Sequence, residues 1–307
     1  MKTFKSILQF QKEFNTDEKC RLFLEQQRWS GEPACPFCGS VNVCRFSTNK
    51  KVFKCREKEC RKKFTVTVGT IYENTKVPLT KWFLATYILS FHSKGLSALQ
   101  LSAWLDVTPK TAWFLNHRIR EMLTDKASEL LSGIVEVDET YVGGKESNKH
   151  LSKRKVRGGT GNKTMVLGAI ERKGRVKVRI IEATNTENIS KAINDFIAPD
   201  SIMVTDEHSA YNRVGKTYIH KRVNHKDKEY VRHEDISVHT NNIEGFWNIL
   251  KKQIVGIHHS VSPKHLQRYC NEVTFRFNHK ALAQDERFAK TVSQCDGRLK
   301  YSQLIAK

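Results

Sequence analysis

Apolar residues recur with two different periods along this chain, and the change of period divides it. From Thr80 to Thr124 the spacing is helical. In LSALQLSAWLDVTPKTAWFLNHRIREML, Ala112, Leu115, Ile119 and Met122 fall on one stripe of a helix. Ser97 and Gln100 form an S-x-x-Q capping box for a first helix, and Thr108 followed by Pro109 gives an N-cap and N1 for a second. The pattern predicts two helices joined by a short turn. From Ile134 to about His279 strand and helix patterns alternate: three strands, a helix, two strands, a helix. Residues 1–30 read as helical, 31–70 as short alternating runs, and 280–307 as a polar tail, helical or loose.

Within the first of those strands, IVEVDETYV, carboxylates break the apolar alternation. Side chains on a strand alternate faces, so Ile134, Glu136 and Asp138 share one face and Val135, Val137 and Glu139 the other. A second acid, Asp206, ends the buried strand in SIMVTDEHSAY. The last helix, HTNNIEGFWNILKKQI, carries Ile243, Phe246, Trp247, Leu250 and Ile254 on its apolar face. Glu244 and Lys251 lie beside that stripe on a shared face, with Asn248 near. Read alone, Glu244 fits a capping box with Asn241 as N-cap, and Lys251 a solvated surface. Read together, the layout is that of a ribonuclease H-like mixed sheet, in which carboxylates distant in sequence meet at one edge. Like charges held that close repel unless a cation sits between them. Hard oxygen donors suit Mg²⁺ or Mn²⁺, and a pair of such ions about 4 Å apart can drive in-line displacement at phosphorus. Asp138 is the expected ligand of its strand, with Glu136 its rival or supporting partner.

Charge changes the picture further. Lys and Arg total 53 against 32 acidic residues, a net +21, spread along all 307 positions. Such a surplus points to a polyanionic partner, above all nucleic acid. With 39% apolar residues and no run of membrane-spanning length or secretory leader pattern, the expectation is a cytoplasmic protein without a membrane, nucleoid-associated in a bacterium. The segment Gly143–Lys163 holds seven basic residues and five glycines and reads as a basic loop, with Lys153, Arg154, Lys155 and Arg157 as DNA contacts. On the second helix of the helix-turn-helix candidate, Lys110, Thr111, Asn116, His117 and Arg120 lie off the apolar stripe and are the candidates for groove contacts.

Four of the eight cysteines form a metal pattern. CPFCGS supplies Cys35 and Cys38, and FKCREKEC supplies Cys55 and Cys60, with sixteen residues between the pairs. Two knuckles on a hairpin-length spacer place four thiolates around one Zn²⁺. Four thiolates leave no open position, so the zinc is structural. Cys44 is a possible substitute ligand, whereas Cys20, Cys270 and Cys295 have no partner at ligand spacing. Lys54, Arg56, Lys58, Arg61, Lys62 and Lys63 surround the pattern as phosphate contacts or as a solvated face.

The segments CPFCGS, FKCREKECRKKFTVTVGTIYENTKVPLTKWF, VEVDETYVGG, VTDEHSAY and HTNNIEGFWNILKKQIVGIHHSVSPKHLQRYCNEVTFRFN are similar to those of ISXO2-like insertion-sequence transposases, the IS1595 family. The resemblance covers roughly residues 15–280. It implies a DDE enzyme that cleaves and joins DNA at transposon ends, with Asp138, Asp206 and Glu244 as catalytic acids and magnesium ligands and Lys251 as the basic residue that follows the third acid. It also implies assembly as a homo-oligomer on DNA. The third acid varies within the family, and here it is Glu.

The expected organisation is a multidomain α/β protein. A helical segment at 1–30 precedes a zinc ribbon at 31–72 and a helix-turn-helix segment at 78–126. A ribonuclease H-like catalytic domain at 132–280 follows, with a tail at 281–307. Two alternatives stand beside a transposase. One is a non-catalytic regulator built on the ribbon and helix-turn-helix; the other is a nuclease or resolvase on the same sheet.

Overall fold

A computed structural model describes residues 3–125, 129–144, 150–153, 163–181, 186–207, 211–214, 217–223, 235 and 238–306. The chain divides into two compact units, residues 1–124 with 281–307, and residues 125–280.

The first unit opens with helix α1 (Ile7–Glu13) and helix α2 (Asp17–Trp29), whose N-cap hydroxyls on Ser6 and Thr16 accept the backbone N–H of Gln9 and Lys19. Helix α2 stops at Ser30, which takes the left-handed conformation. A three-stranded antiparallel sheet follows, made of β1 (Val43–Arg45), β2 (Phe53–Cys55) and β3 (Lys63–Phe64). Its core is Phe53, Phe64, Cys35 and Cys55, with Trp29 packed against them. So few apolar side chains do not hold a module together by burial alone.

Three helices continue the unit: α3 (Leu79–Phe91), α4 (Ala98–Leu105) and α5 (Pro109–Met122). The caps are those read from the sequence. Ser97 and Gln100 close a full capping box on α4, and Thr108 caps α5 with Pro109 in its first turn.

The second unit is a five-stranded mixed sheet. Strands β4 (Ile134–Val142), β5 (Thr164–Glu171) and β6 (Val176–Ile181) form an antiparallel meander. Helix α6 (Thr186–Phe196) crosses over to β7 (Ile202–Thr205), which pairs parallel to β4, and β8 (Ile219–Arg222) pairs parallel to β7. The order β6-β5-β4-β7-β8 puts β4 at the centre, which is the ribonuclease H-like topology. Val135, Val137 and Leu167 pack with Ile189 and Ile193 of α6 on one face. On the other face Val166, Ile170 and Val176 pack with α7 (Asn241–Gln253) and α8 (Pro263–Asn278). Helix α8 also covers the open edge of β6: Ile180 N–H donates to Gln267 Oε1 at 2.9 Å and Val176 N–H to Asn278 Oδ1 at 2.8 Å. An edge satisfied in this way offers no free ladder for another strand.

The chain then returns to the first unit. Helices α9 (Gln284–Ser293) and α10 (Tyr301–Ile305) are packed, not loose. The Phe288 ring lies 5.0–5.9 Å from those of Phe4, Phe10, Phe14, Phe23 and Phe83. The N–H of Ile71 donates to Cys295 O at 2.8 Å. A tail that reads as polar by composition still supplies Phe288, Val292, Cys295 and Leu304 to a buried core.

Candidate active site and metal centre

The ribbon brings Cys35, Cys38, Cys55 and Cys60 together, with all four sulfurs within 4.8 Å of one another. A tetrahedron with Zn–S bonds of about 2.3 Å has S···S edges of about 3.8 Å. Cys35 and Cys60 are 3.7 Å apart and Cys38 and Cys55 3.6 Å, so the thiolates fit that ion. Gly39, at φ 76°, makes the first knuckle, where its N–H donates to Cys35 O at 2.8 Å. Arg61, at φ 51°, makes the second, donating to Glu57 O at 3.1 Å. Cys44 is no substitute ligand. It sits on β1 with its sulfur against Lys54 O at 3.7 Å, outside the group. Around the site Arg56, Lys58, Arg61, Lys62 and Lys63 are exposed, with Lys62 over the Phe37 ring and Lys63 over that of Phe46.

In the second unit, strand β4 carries three acids into different surroundings. Glu136 is fully buried and saturated. Its carboxylate accepts from Arg172 Nε at 2.9 Å, Asn242 N–H at 2.9 Å, Asn242 Nδ2 at 2.7 Å and Ile243 N–H at 3.2 Å. The two backbone donors, Asn242 N–H and Ile243 N–H, are orphan groups of the first turn of α7. Glu136 therefore caps that helix from a neighbouring strand and meets its positive end with a negative charge. This corrects the reading of Asn241 as N-cap. The N-cap is Thr240, which makes no side-chain capping bond, and Glu244 falls one place further along. Glu139 lies on the opposite face from Asp138, as alternation requires, and accepts the Tyr211 hydroxyl.

Asp138 is held differently. Trp247 Nε1 donates to its Oδ2 at 2.9 Å. The ring reaches it because the residue paired with Asp138 across the sheet is Gly168. A Cβ added at Gly168 would lie 2.5 Å from Trp247 Cη2 and 2.7 Å from Cζ2, so the indole occupies the space a side chain would need. Burial, then the charges of Glu139 and Asp206, push the Asp138 carboxyl up to about 7, against the pull of the indole N–H. A cation would relieve that repulsion, and the carboxylate donors suit a hard divalent ion.

Asp206 follows β7 directly. The parallel register Glu136↔Val204, carried two residues further, sets Asp206 level with Asp138. Glu244 is exposed on the first turn of α7, where Thr240 Oγ1 donates to it at 3.1 Å. Among the described residues the three acids do not close into a group with all ligand atoms within 4.8 Å. Lys251 lies two turns on and lines a cavity with the end of β4.

The helix-turn-helix candidates separate on burial. Lys110 is exposed and Thr111 half-buried, but Asn116, His117 and Arg120 are at most 2% exposed. Those three do not present a surface to a groove. Helix α5 has partners beyond its apolar stripe, among them Tyr301, whose ring packs against Trp113 and Phe114. Of the basic loop, Lys153 ends a short 3-10 turn at Leu151–Lys153, and Arg154, Lys155 and Arg157 lie outside the described residues.

Sequence reasoning missed Trp247 as a polar partner, because its spacing placed it in the apolar stripe. It also missed Gly168, for which a glycine inside an apolar strand was an available signal of close approach.

Residues 130–278 match the ISXO2-like transposase domain, and residues 15–63 match the transposase zinc-ribbon domain of the same family. A Halobacterium salinarum protein, described as an uncharacterized protein in transposable element ISH50, is 27% identical over 288 residues, 86% of this chain and 92% of its own. Among solved structures, a pre-cleavage Mos1 transpososome is 13% identical over 70% of this chain and 79% of its own, at a TM-score of 0.25. The Mos1 transposase paired-end complex with left transposon end is 13% identical over 71% and 80%, at 0.27. Likenesses that low carry no weight for this chain's chemistry.

Proposed function

The chain belongs to the ISXO2-like transposases of insertion-sequence family IS1595, and on that premise we propose that it binds the ends of its own element and catalyses metal-dependent DNA cleavage and strand transfer. The observation that carries this reading is Asp138. A half-buried carboxyl at the centre of the sheet, raised to about 7 with Asp206 level beside it, is a costly arrangement that a divalent cation makes useful.

In this reading Asp138 and Asp206, with Glu244 from α7, hold Mg²⁺ or Mn²⁺, two ions in all. When bound, the metal activates a water or a 3′-hydroxyl and stabilises the leaving oxygen. Carboxylates spanning two ions need not converge on one point. Trp247 fixes the orientation of the Asp138 carboxylate, and Glu136 fixes the start of the helix that carries Glu244 and Lys251. Lys251 holds a phosphate of the strand being cut. The ribbon's zinc is structural. Lys110, Thr111, the exposed basic residues of the ribbon and the loop residues Lys153, Arg154, Lys155 and Arg157 supply DNA contacts. Two element ends must be held at once, so the working form is a homo-oligomer on DNA.

The test uses duplexes copied from the DNA that flanks the gene, with Mg²⁺ and a target plasmid. Wild type cuts the end and joins it to the plasmid; Asp138→Asn binds the end but does neither. An active Asp138→Asn protein overturns the assignment. Cutting without joining would make the chain a nuclease, and binding without cutting a regulator.

A further inference from the structure

Beyond the catalytic strand lies a cavity of which the proposed reaction uses only Lys251. It has a volume of about 520 Å³ and sits where β4 ends, between Tyr141–Gly144, Lys251 and the segment Ile254–Val261. That volume is within the range of small-molecule sites. Val142 and Ile254 form a buried apolar floor, whereas Val255 on the lip is 65% exposed. Among the described lining residues none is acidic, and Lys251 supplies a positive charge at the wall. An apolar slot with a cation at its rim is complementary to a flat neutral ring attached to an anion.

The backbone there is unusual. Helix α7 does not end at Gln253 but runs into a π-helical turn, Ile254–His258. His259 then adopts φ 58° and ψ −49°, a conformation an L-residue seldom takes. Ile254, Val255 and His259, from that irregular stretch, all line the cavity. A regular helix would present a different set of side chains, so the strained turn is what shapes the slot. π-Turns and residues in sparsely populated conformations collect at ligand sites.

We infer that this cavity receives one unstacked nucleobase from the element end, with the neighbouring phosphate on Lys251. The inference rests on the transposase reading above and adds a subsite to it. Four strand residues separate Asp138 from Val142, about 13 Å at 3.3 Å per residue. That is about four steps of stacked DNA at 3.4 Å each, and fewer once the strand is pulled out. The extruded base therefore comes from the last few nucleotides of the end. Taking a base out of the stack is unfavourable, and the slot offsets that by covering its faces.

The experiment places 2-aminopurine, one position at a time, through the last nucleotides of the flanking duplex. Full-length protein is added in Ca²⁺ and fluorescence is read; cleavage of the same duplexes in Mg²⁺ is read in parallel. One or two adjacent positions should brighten on binding. Val255→Asp should lose that signal, because a carboxylate on the lip repels the phosphate, while Val255→Ile keeps it. Val255 is exposed, so thermal unfolding of both variants should match wild type. If the duplex is cleaved and no position brightens, or if Val255→Asp brightens as wild type does, the subsite is wrong and the transposase reading survives. If free dAMP binds with the same sensitivity to Val255→Asp, the cavity is a mononucleotide site, which also overturns the inference. Failure to bind or cut any end duplex sinks both.

Discussion

Gly168→Ala is the sharpest probe of how Asp138 is held. The new Cβ would sit 2.5 Å from Trp247 Cη2, whereas carbon atoms rest at about 3.5–4.0 Å. The ring must retreat by about 1 Å. Its Nε1 donates to Asp138 at 2.9 Å, so the same retreat takes that bond to about 3.9 Å, beyond hydrogen-bonding reach. Overpacking costs about 1–3 kcal/mol, and loss of a bond to a charged group about 1.5–3 kcal/mol. Part of the second term is shared with the first, so we expect Gly168→Ala to lose about 2–4 kcal/mol in urea unfolding and to cut end cleavage sharply. Trp247→Phe removes the colliding benzo carbons and the indole N–H together. Combined with Gly168→Ala, it should cost clearly less than the sum of the two single changes. Additive losses, or a Gly168→Ala protein as stable as wild type, would refute the wedge between these three residues.

Other expectations follow from the same contacts. Glu136→Gln keeps the shape but turns an NH₂ toward two of the four donors and leaves Arg172 without its carboxylate. It should lose about 3–5 kcal/mol in the same unfolding assay, and a loss under about 1 kcal/mol would contradict the capping role. Cys60→Ser should lower bound zinc, measured by atomic absorption, whereas Cys44→Ser should keep it in full; equal loss in both would reopen the ligand set. Binding to end duplex should weaken steeply between 50 and 200 mM salt, and a flat response would remove the argument from charge.

Local signals in the sequence survived intact. The capping box at Ser97 and the Thr108-Pro109 start depend on residues within one turn of each other, so the structure reproduces them. Alternation along β4 correctly separated Asp138 from Glu139, because a strand's faces are set by parity alone. The cluster of four cysteines was legible because knuckle spacing is itself local. What failed was burial by distant chain. Asn116, His117 and Arg120 lie off the stripe of α5, but partners far along the sequence cover more than that stripe. Glu136 was recognisable as a rival to Asp138. That its partners would be the N–H groups of a helix more than a hundred residues on is a property of topology, invisible to periodicity. Trp247 shows a different limit: hydropathy scores a whole side chain, and only one atom of this one is polar.

The return of the chain to its first unit has a consequence for synthesis. Phe288 completes an aromatic core whose other members, from Phe4 to Tyr87, are made first. At about 5–20 residues per second, the 164 positions between Thr124 and Phe288 keep that core open for roughly 8–33 seconds on the ribosome. The whole ribonuclease H-like unit emerges in that interval. A message cut between codons 125 and 287 therefore yields a chain in which the ribbon and helices α3 to α5 are present but their supporting core lacks the Phe288 ring. Full-length translation is thus a condition for a sound first unit.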